Sequence, residues 1–277
     1  MKQVENQSFD QERAFYGTEG LTLRRCRFEG PADGESALKE CAHITAEDCF
    51  FDLRYPLWHV RGLRLRDCEL TPQCRAALWY SEDISISRCK LHGIKALREC
   101  RRATLTDCHI VSPEFGWSSR EVTLTGGTAE SEYFFLRGEE LKLRDVEFSG
   151  KYSFQYVKNM EIDGCRLHTK DAFWHSENVT VRNSLVQGEY LAWYSKNLTL
   201  INCKIVGTQP LCYCEGLKLI DCEMEGTDLA FERSTVEARV TIPILSVKNP
   251  RGGVITAPEV GEIIMDDPLA RGKVVVV

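Results

Sequence analysis

"ENVTVRNSLVQGEYLAWYSKNLTLINCKIVG", residues 177 to 207, contains one eight-residue pattern twice. Val179-Thr-Val-Arg-Asn-Ser-Leu-Val186 returns 19 residues later as Leu198-Thr-Leu-Ile-Asn-Cys-Lys-Ile205. Apolar and polar residues alternate within each copy, which is the period of a strand and not of a helix. The alternation slips once, where two residues separate Leu200 from Cys203, and the second of them is Asn202. Asparagine tolerates a left-handed backbone, so a sharp bend is expected between two short strands.

Working outward, the pattern starts at Leu21, Ile44, Leu63, Ile84, Ala103, Val122, Leu141, Met160, Val179, Leu198 and Leu217. After early spacings of 23 and 21 around a 19, the interval is 19 residues each time. The bend position holds Asp48, Asp67, Asp107, Gly126, Asp145, Gly164, Asn183, Asn202 and Asp221. A second bend precedes the copies at Ser81-Glu-Asp83, Ser176-Glu-Asn178 and Ser195-Lys-Asn197, and before it lies a third apolar stretch such as Phe173-Trp174. Three short strands per repeat predict an all-β fold, a right-handed parallel β-helix solenoid of about 11 coils of ~19 residues. A left-handed hexapeptide helix would show a six-residue aliphatic period, and none is present.

The expected organisation is a single domain over 1–277, with an N-terminal cap at 1–20, coils over 21–235 and a strand-rich C-terminal cap at 236–277. In the last segment the repeat fades and Pro-Arg-Gly-Gly and Ala-Pro-Glu interrupt short strands, as suits a terminal unit that closes a core.

Composition narrows the partners. At 277 residues, 43% hydrophobic and 27% charged, the chain reads as an ordinary globular protein. A net charge of −6 without basic runs argues against nucleic acid. No segment is long and apolar enough to span a bilayer, and the polar start "MKQVENQSFDQERAFYG" lacks a signal-peptide core, so no membrane partner and a cytoplasmic address are expected. Thirteen cysteines in such a chain are expected to be reduced.

Eight of them, Cys26, Cys49, Cys68, Cys89, Cys108, Cys165, Cys203 and Cys222, share one repeat position, which Gly127, Val146 and Ser184 fill elsewhere. That position requires a small residue and not sulfur chemistry. Cys212-x-Cys214 has no nearby histidine to complete a ligand set, so neither metal nor cofactor is expected.

The five tryptophans, Trp58, Trp79, Trp117, Trp174 and Trp193, also share one position. The residue before each is apolar or small and should face inward, so period-two alternation turns the tryptophans outward. Lys39, Arg98 and Gln155 occupy the same column in other coils. His59, Tyr80, Tyr156, His175, Tyr194 and Tyr213 follow at the next position. An outward aromatic strip marks a ligand or partner surface if it is open, and adds packing if it is covered. Flat rings suit the apolar faces of sugars, so a carbohydrate or small-molecule ligand is one reading, with Arg98 on the charged rim.

Catalysis on that strip would use Asp171, Glu189 and His175, because glycosidic cleavage needs two carboxyls across the bond. A glycoside hydrolase or polysaccharide lyase-like activity is the expectation if the protein is an enzyme. The alternative is a non-catalytic scaffold, a homo-oligomer or partner binder that uses the strip as its interface. Asn178-Val-Thr and Asn197-Leu-Thr match a glycosylation pattern, but here the asparagine serves a bend and the threonine a strand.

The words GPADGESALKE, FFDLRYPLWH, CRAALWYS, KLHGIKALREC, SPEFGW, KYSFQY, DAFWHSENVTVRNS, GEYLAWYSKNLTLINCKIVGTQPLCYC and VGEIIMDDP resemble a bacterial family known as a domain of unknown function, number 3737. The resemblance spans essentially the whole chain. It implies a right-handed β-helix related in shape to pectate lyases and polygalacturonases, and no established activity. DAFWHSEN is also similar to the aspartate-bearing strand of polygalacturonases, although only Asp171 is matched and no second acid stands beside it. The calcium-binding acids and catalytic arginine of pectate lyases have no counterpart.

Overall fold

A computed structural model describes residues 2–30 and 35–277; Met1 and residues 31–34, part of the GPADGESALKE word, lie outside the described residues. The fold is an all-β parallel solenoid of about 14 turns of about 19 residues. No described residue is helical. Contacts divide the chain into two compact units, Met1–Leu141 and Lys142–Val277.

In the first unit the long strands Ala42–Glu47, Arg61–Arg66, Glu82–Ser87, Arg101–Thr106 and Arg120–Thr125 stack in parallel. Ile44, Leu63, Ile84, Ala103 and Val122 fall in one register column, and each is buried. In the second unit Met160, Val179 and Leu198 do the same. Each such aliphatic side chain contributes about 1.5–3 kcal/mol by leaving water. Phenylalanines fill the corners: Phe28 stacks on Phe51 at 4.8 Å in the first unit, and Phe154 on Phe173 at 5.0 Å in the second. Coil pairing extends past the eleven copies read from their spacing. Lys2–Glu5 pairs with Glu19–Arg24, and Leu219, Ala238, Ile255 and Val274 align on successive strands despite irregular spacing.

The bend between long and short strand is left-handed, at Asp48, Asp67, Asp107, Asn183, Asn202 and Asp221, and also at Arg25 and Arg88. Ion pairs and amide ladders stitch the bends, and the second unit uses both, since Arg239 holds Asp221 at 2.6 Å. In the first unit, Arg88 grips Asp67 through two bonds of 2.7 Å, and Arg102 binds Asp83 at 2.6 Å. In the second, amides form ladders: Asn178 donates to Asn159 at 3.1 Å and Asn197 to Asn178 at 3.0 Å, while Asn202 donates to Asn183 at 2.8 Å.

All thirteen cysteines are buried and unpaired by disulfides. The position shared by eight of them has a hydrogen-bonding role besides its size. The Cys49 and Cys68 N–H groups donate to the sulfurs of Cys68 and Cys89, at 3.4 and 3.3 Å. Ser184 does the same work, accepting from the Cys165 N–H at 3.0 Å and donating to the Arg182 carbonyl. Burial pushes the Cys100 thiol up to about 12 and the Cys165 and Cys214 thiols up to about 11, which keeps them protonated and unreactive at neutral pH.

The third apolar stretch differs from the strand expected of it. Among the described residues only Leu78–Trp79 and Leu97–Arg98 pair there as short strands, with a single bridge from Arg98 to Trp117. In the second unit every other residue of the stretch is left-handed: Asp171, Phe173 and His175, then Tyr190, Ala192 and Tyr194. The middle peptide has turned over. The Leu57 N–H donates forward to Ala77 of the next coil at 3.0 Å, whereas the Phe173 N–H donates backward to Ser153 at 2.9 Å. A left-handed non-glycine residue costs about 1–3 kcal/mol, offset here by an inter-coil hydrogen bond and by two consecutive inward side chains, Ala172 and Phe173. Side-chain direction therefore does not alternate through this stretch: two residues face in, then two face out.

Candidate ligand-binding face

The outward pair is the tryptophan position and the tyrosine or histidine after it. The five tryptophans are half-buried, while Tyr80, Tyr156 and Tyr194 are 45%, 47% and 44% exposed. His59 and His175 are exposed as well.

In the first unit cations are interspersed among the indoles of the column. Lys39 Nζ lies 4.0 Å from the Trp58 ring centre, Trp58 stacks on Trp79 at 5.7 Å, and Arg98 sits 4.7 Å from Trp79 and 5.2 Å from Trp117. Such contacts contribute about 0.5–2 kcal/mol each. Glu99 accepts from Trp79 Nε1 at 3.3 Å and from Arg98 Nε at 3.1 Å. His59 Nδ1 meets the Glu40 carboxylate at 2.9 Å, and Tyr80 lies against Trp79 at 5.2 Å.

In the second unit the rings stack without cations between them. Trp174 and Trp193 lie 5.4 Å apart and 3° from parallel. Beside them Tyr156, His175, Tyr194 and Tyr213 form a four-ring ladder with steps of 4.9, 5.0 and 4.9 Å, each within 14° of parallel. Rings stacked along the coil direction cover each other's faces, so the ladder offers solvent its edges. Those edges carry the Tyr194 hydroxyl, the His175 nitrogens and, at 3.5 Å from Glu232, the Tyr213 hydroxyl. The tryptophan N–H groups are spent on the backbone: Trp174 donates to the Tyr190 carbonyl at 2.6 Å and Trp193 to the Gln209 carbonyl at 2.9 Å.

Asp171, Glu189 and His175 fall on the same side of adjacent coils, with the Asp171 N–H donating to the Glu189 carbonyl at 3.0 Å. Their side chains are differently engaged. Lys170 holds the Glu189 carboxylate at 2.9 Å, and His175 is sandwiched between Tyr156 and Tyr194. Asp171 is 8% exposed, and burial raises its carboxyl above the usual carboxylate range despite the nearby Lys170. Among the described residues no group of three or more His, Cys, Asp or Glu is placed to hold a metal ion.

Sequence reasoning missed Tyr190, which packs edge-on against Trp193 at 5.4 Å and receives Lys170 over its ring at 5.5 Å. Its signal was available, because Tyr133, Tyr152 and Tyr190 occupy equivalent repeat positions. Two shallow grooves lie away from the rings. One of about 860 Å³ in the second unit runs past Asn183, Asn202 and Asp221, and one of about 840 Å³ in the first past His43, Gly62 and Arg64. The former follows the bend column read from the repeat, and the latter runs across the starts of three long strands.

The family model described as Protein of unknown function (DUF3737) matches residues 2–276. The chain belongs to this family. No curated protein matches it. Among solved structures it is similar to the tailspike protein of E. coli bacteriophage HK620, at 8% identity and a TM-score of 0.46 over 89% of this chain and 60% of that one. It is also similar to the A-module of a mannuronan C-5 epimerase from Azotobacter vinelandii, at 13% identity and a TM-score of 0.39 over 94% and 90%. A third is the GH136 lacto-N-biosidase of Eubacterium ramulus, at 10% identity and a TM-score of 0.27 over 99% and 61%. The chain thus spans about 60% of the length of the tailspike.

Proposed function

We propose that this protein is a non-catalytic binding solenoid whose ligand is an extended, polyhydroxylated molecule such as a glycan, held along the second-unit ladder of Tyr156, His175, Tyr194 and Tyr213. The observation that carries the reading is the ladder itself: four rings at a repeat of 4.9 to 5.0 Å, three of them exposed and Tyr213 half-buried, uninterrupted by charge. A hydroxyl-rich chain laid along the coils would meet a ring edge and a polar tip at each step, a periodic set of hydrogen bonds on an apolar bed. Sugar-face stacking is not the mode proposed, because the ring faces are already occupied by other rings.

Binding is preferred to cleavage on the state of the carboxyls. Glu189 is ion-paired with Lys170, and Asp171 is packed within its turn. The reading is tested by titrating cellohexaose, chitohexaose and hexagalacturonate into wild type and Tyr194→Ala by calorimetry. Binding of one oligosaccharide that falls at least about tenfold in the variant, with unchanged thermal stability, supports it. No binding by wild type, or binding indifferent to Tyr194, overturns it. Turnover of any of the three sugars would restore the catalytic roles of Asp171, Glu189 and His175.

A further inference from the structure

The flanks of the ladder narrow what it can hold. Two positions after each rung, beyond a buried residue, the coil faces outward again at Lys158, Glu177, Lys196 and Glu215. These four stand in one register column, so cation and carboxylate alternate coil by coil alongside the rings. They are matched in pairs, with Lys158 Nζ 3.5 Å from Glu177 and Lys196 Nζ 3.5 Å from Glu215.

On the other side of the rings stand Gln155, Trp174 and Trp193, which carry no charge and donate to backbone carbonyls. Past the last rung Glu232, beside the Tyr213 hydroxyl, is held by Lys248 at 3.2 Å. Each lysine along this edge of the ladder thus already has its glutamate.

Donor and acceptor capacity then decides what fits. A lysine ammonium only donates, an ionised glutamate only accepts, and a sugar hydroxyl does both. A chain of hydroxyls therefore finds a partner at every coil of the alternating column. A polyuronate meets lysines that are already engaged and is repelled by Glu177 and Glu215. Its carboxylates lose hydration with no unpaired cation in the column to replace it.

We propose that the ladder selects uncharged glycans over uronate chains and that Glu177 and Glu215 exclude the acid, a selectivity that rests on the ladder being the glycan site. The two glutamates are specificity determinants and not binding anchors, since their removal improves the fit of the excluded sugar.

Calorimetric titration of cellohexaose, chitohexaose and hexagalacturonate at pH 8, above the ordinary histidine range, tests this on the full chain. Wild type is expected to bind one neutral hexasaccharide at least about tenfold more tightly than hexagalacturonate. The double variant Glu177→Gln with Glu215→Gln should narrow that ratio about threefold or more by gaining affinity for hexagalacturonate. Glu147→Gln with Glu223→Gln, the same change of charge at exposed positions outside the column, should leave the ratio unchanged. Both column side chains are exposed, at 42% and 66%, so the fold should be unaffected; a changed circular-dichroism spectrum passes the test to Glu215→Gln alone. Hexagalacturonate bound as tightly as the neutral sugars, a ratio the column variant does not move, or one the control moves equally overturns the selectivity, and sensitivity of binding to Tyr194→Ala still upholds the ladder. No binding of any of the three sugars, or binding indifferent to Tyr194, overturns both.

Discussion

The outward columns of the two units are built at the same repeat positions with opposite chemistry. In the first, Lys39 and Arg98 are interleaved with Trp58, Trp79 and Trp117. In the second, Trp174 and Trp193 stack on each other with Tyr156, His175, Tyr194 and Tyr213 alongside. A cation between rings satisfies their faces and leaves a charged, well-hydrated stripe, so the first column behaves as surface packing. An uninterrupted ladder leaves a continuous apolar strip whose only polar groups are at its outer edge. A repeat position therefore fixes where a side chain points, while the column's composition decides whether it is available to a ligand.

The comparison is broken most directly at adjacent residues of the ladder. Trp193→Ala removes an indole that donates to Gln209 and touches Trp174, Tyr190 and Tyr213, and should cost about 2–4 kcal/mol in urea denaturation. Trp79→Ala, which removes one ring contact each from Arg98 and Trp58, should cost a similar amount. Tyr194→Ala, at an exposed rung, should cost less than about 1 kcal/mol. If the tryptophan variants lost no stability, they would be surface readers after all, and the binding role would pass from the tyrosines to them.

Much of the architecture was legible because a solenoid writes its register into the sequence every 19 residues. Cys203 and Asn202 could be placed as interior rung and bend from spacing alone. The third segment could not, because hydrophobicity reports inward against outward and not the hand of the backbone. Ala172-Phe173 has the same pattern whether the Phe173 peptide points forward or back. The site was half legible for a related reason. The tryptophan column was visible, but ring orientation depends on coil-to-coil stacking, so face exposure was expected where only edges are offered. Arg25 and Arg88 at left-handed bends were missed as well, since their bond partners and not their intrinsic preference hold them there.

Acidification should separate the units by sign. In the first, His92 has a buried Nε2 with no hydrogen-bond partner and faces His109 at 5.0 Å. Burial, then the neighbouring His109, holds it below the ordinary histidine range, with Lys90 acting the same way and Glu69 opposing. A histidine depressed in the folded state contributes stability above its unfolded pKa of about 6.5, and that stability is lost as pH falls through the folded value. In the second unit Asp171 is raised by burial, so its charged form is disfavoured in the fold. Its cost is present at neutral pH and relieved as pH drops through the folded value towards about 3.9. His92→Gln should therefore flatten the stability loss below about pH 6.5. Asp171→Asn should stabilise at pH 7, with the gain vanishing in acid. Urea midpoints of both variants between pH 4 and pH 8 check the two signs, and a destabilised Asp171→Asn at pH 7 would mean that its carboxylate has a partner worth keeping.

The smallest effect concerns the bends, where salt should distinguish ion pairs from amides. The pairs Arg88 with Asp67 and Arg102 with Asp83 are solvent-exposed, and mobile ions screen them over about 8–10 Å at moderate ionic strength. The ladders Asn159–Asn178–Asn197 and Asn183–Asn202 carry no net charge to screen. Raising sodium chloride to about 1 M, where the screening length falls to about 3 Å, should quicken amide exchange at Asp67 and Asp83 and leave Asn178 and Asn202 unchanged. Hydrogen–deuterium exchange resolved to single coils makes the measurement. Equal acceleration in both units would mean that the inter-coil backbone bonds alone hold the bends, so that Arg88 and Arg102 only decorate them. Acceleration at Asp67 and Asp83 but not at Asn178 and Asn202 would show that ion pairs hold the first pair of bends and amides the second, and Asp221, paired with Arg239 in the second unit, should then respond to salt like Asp67.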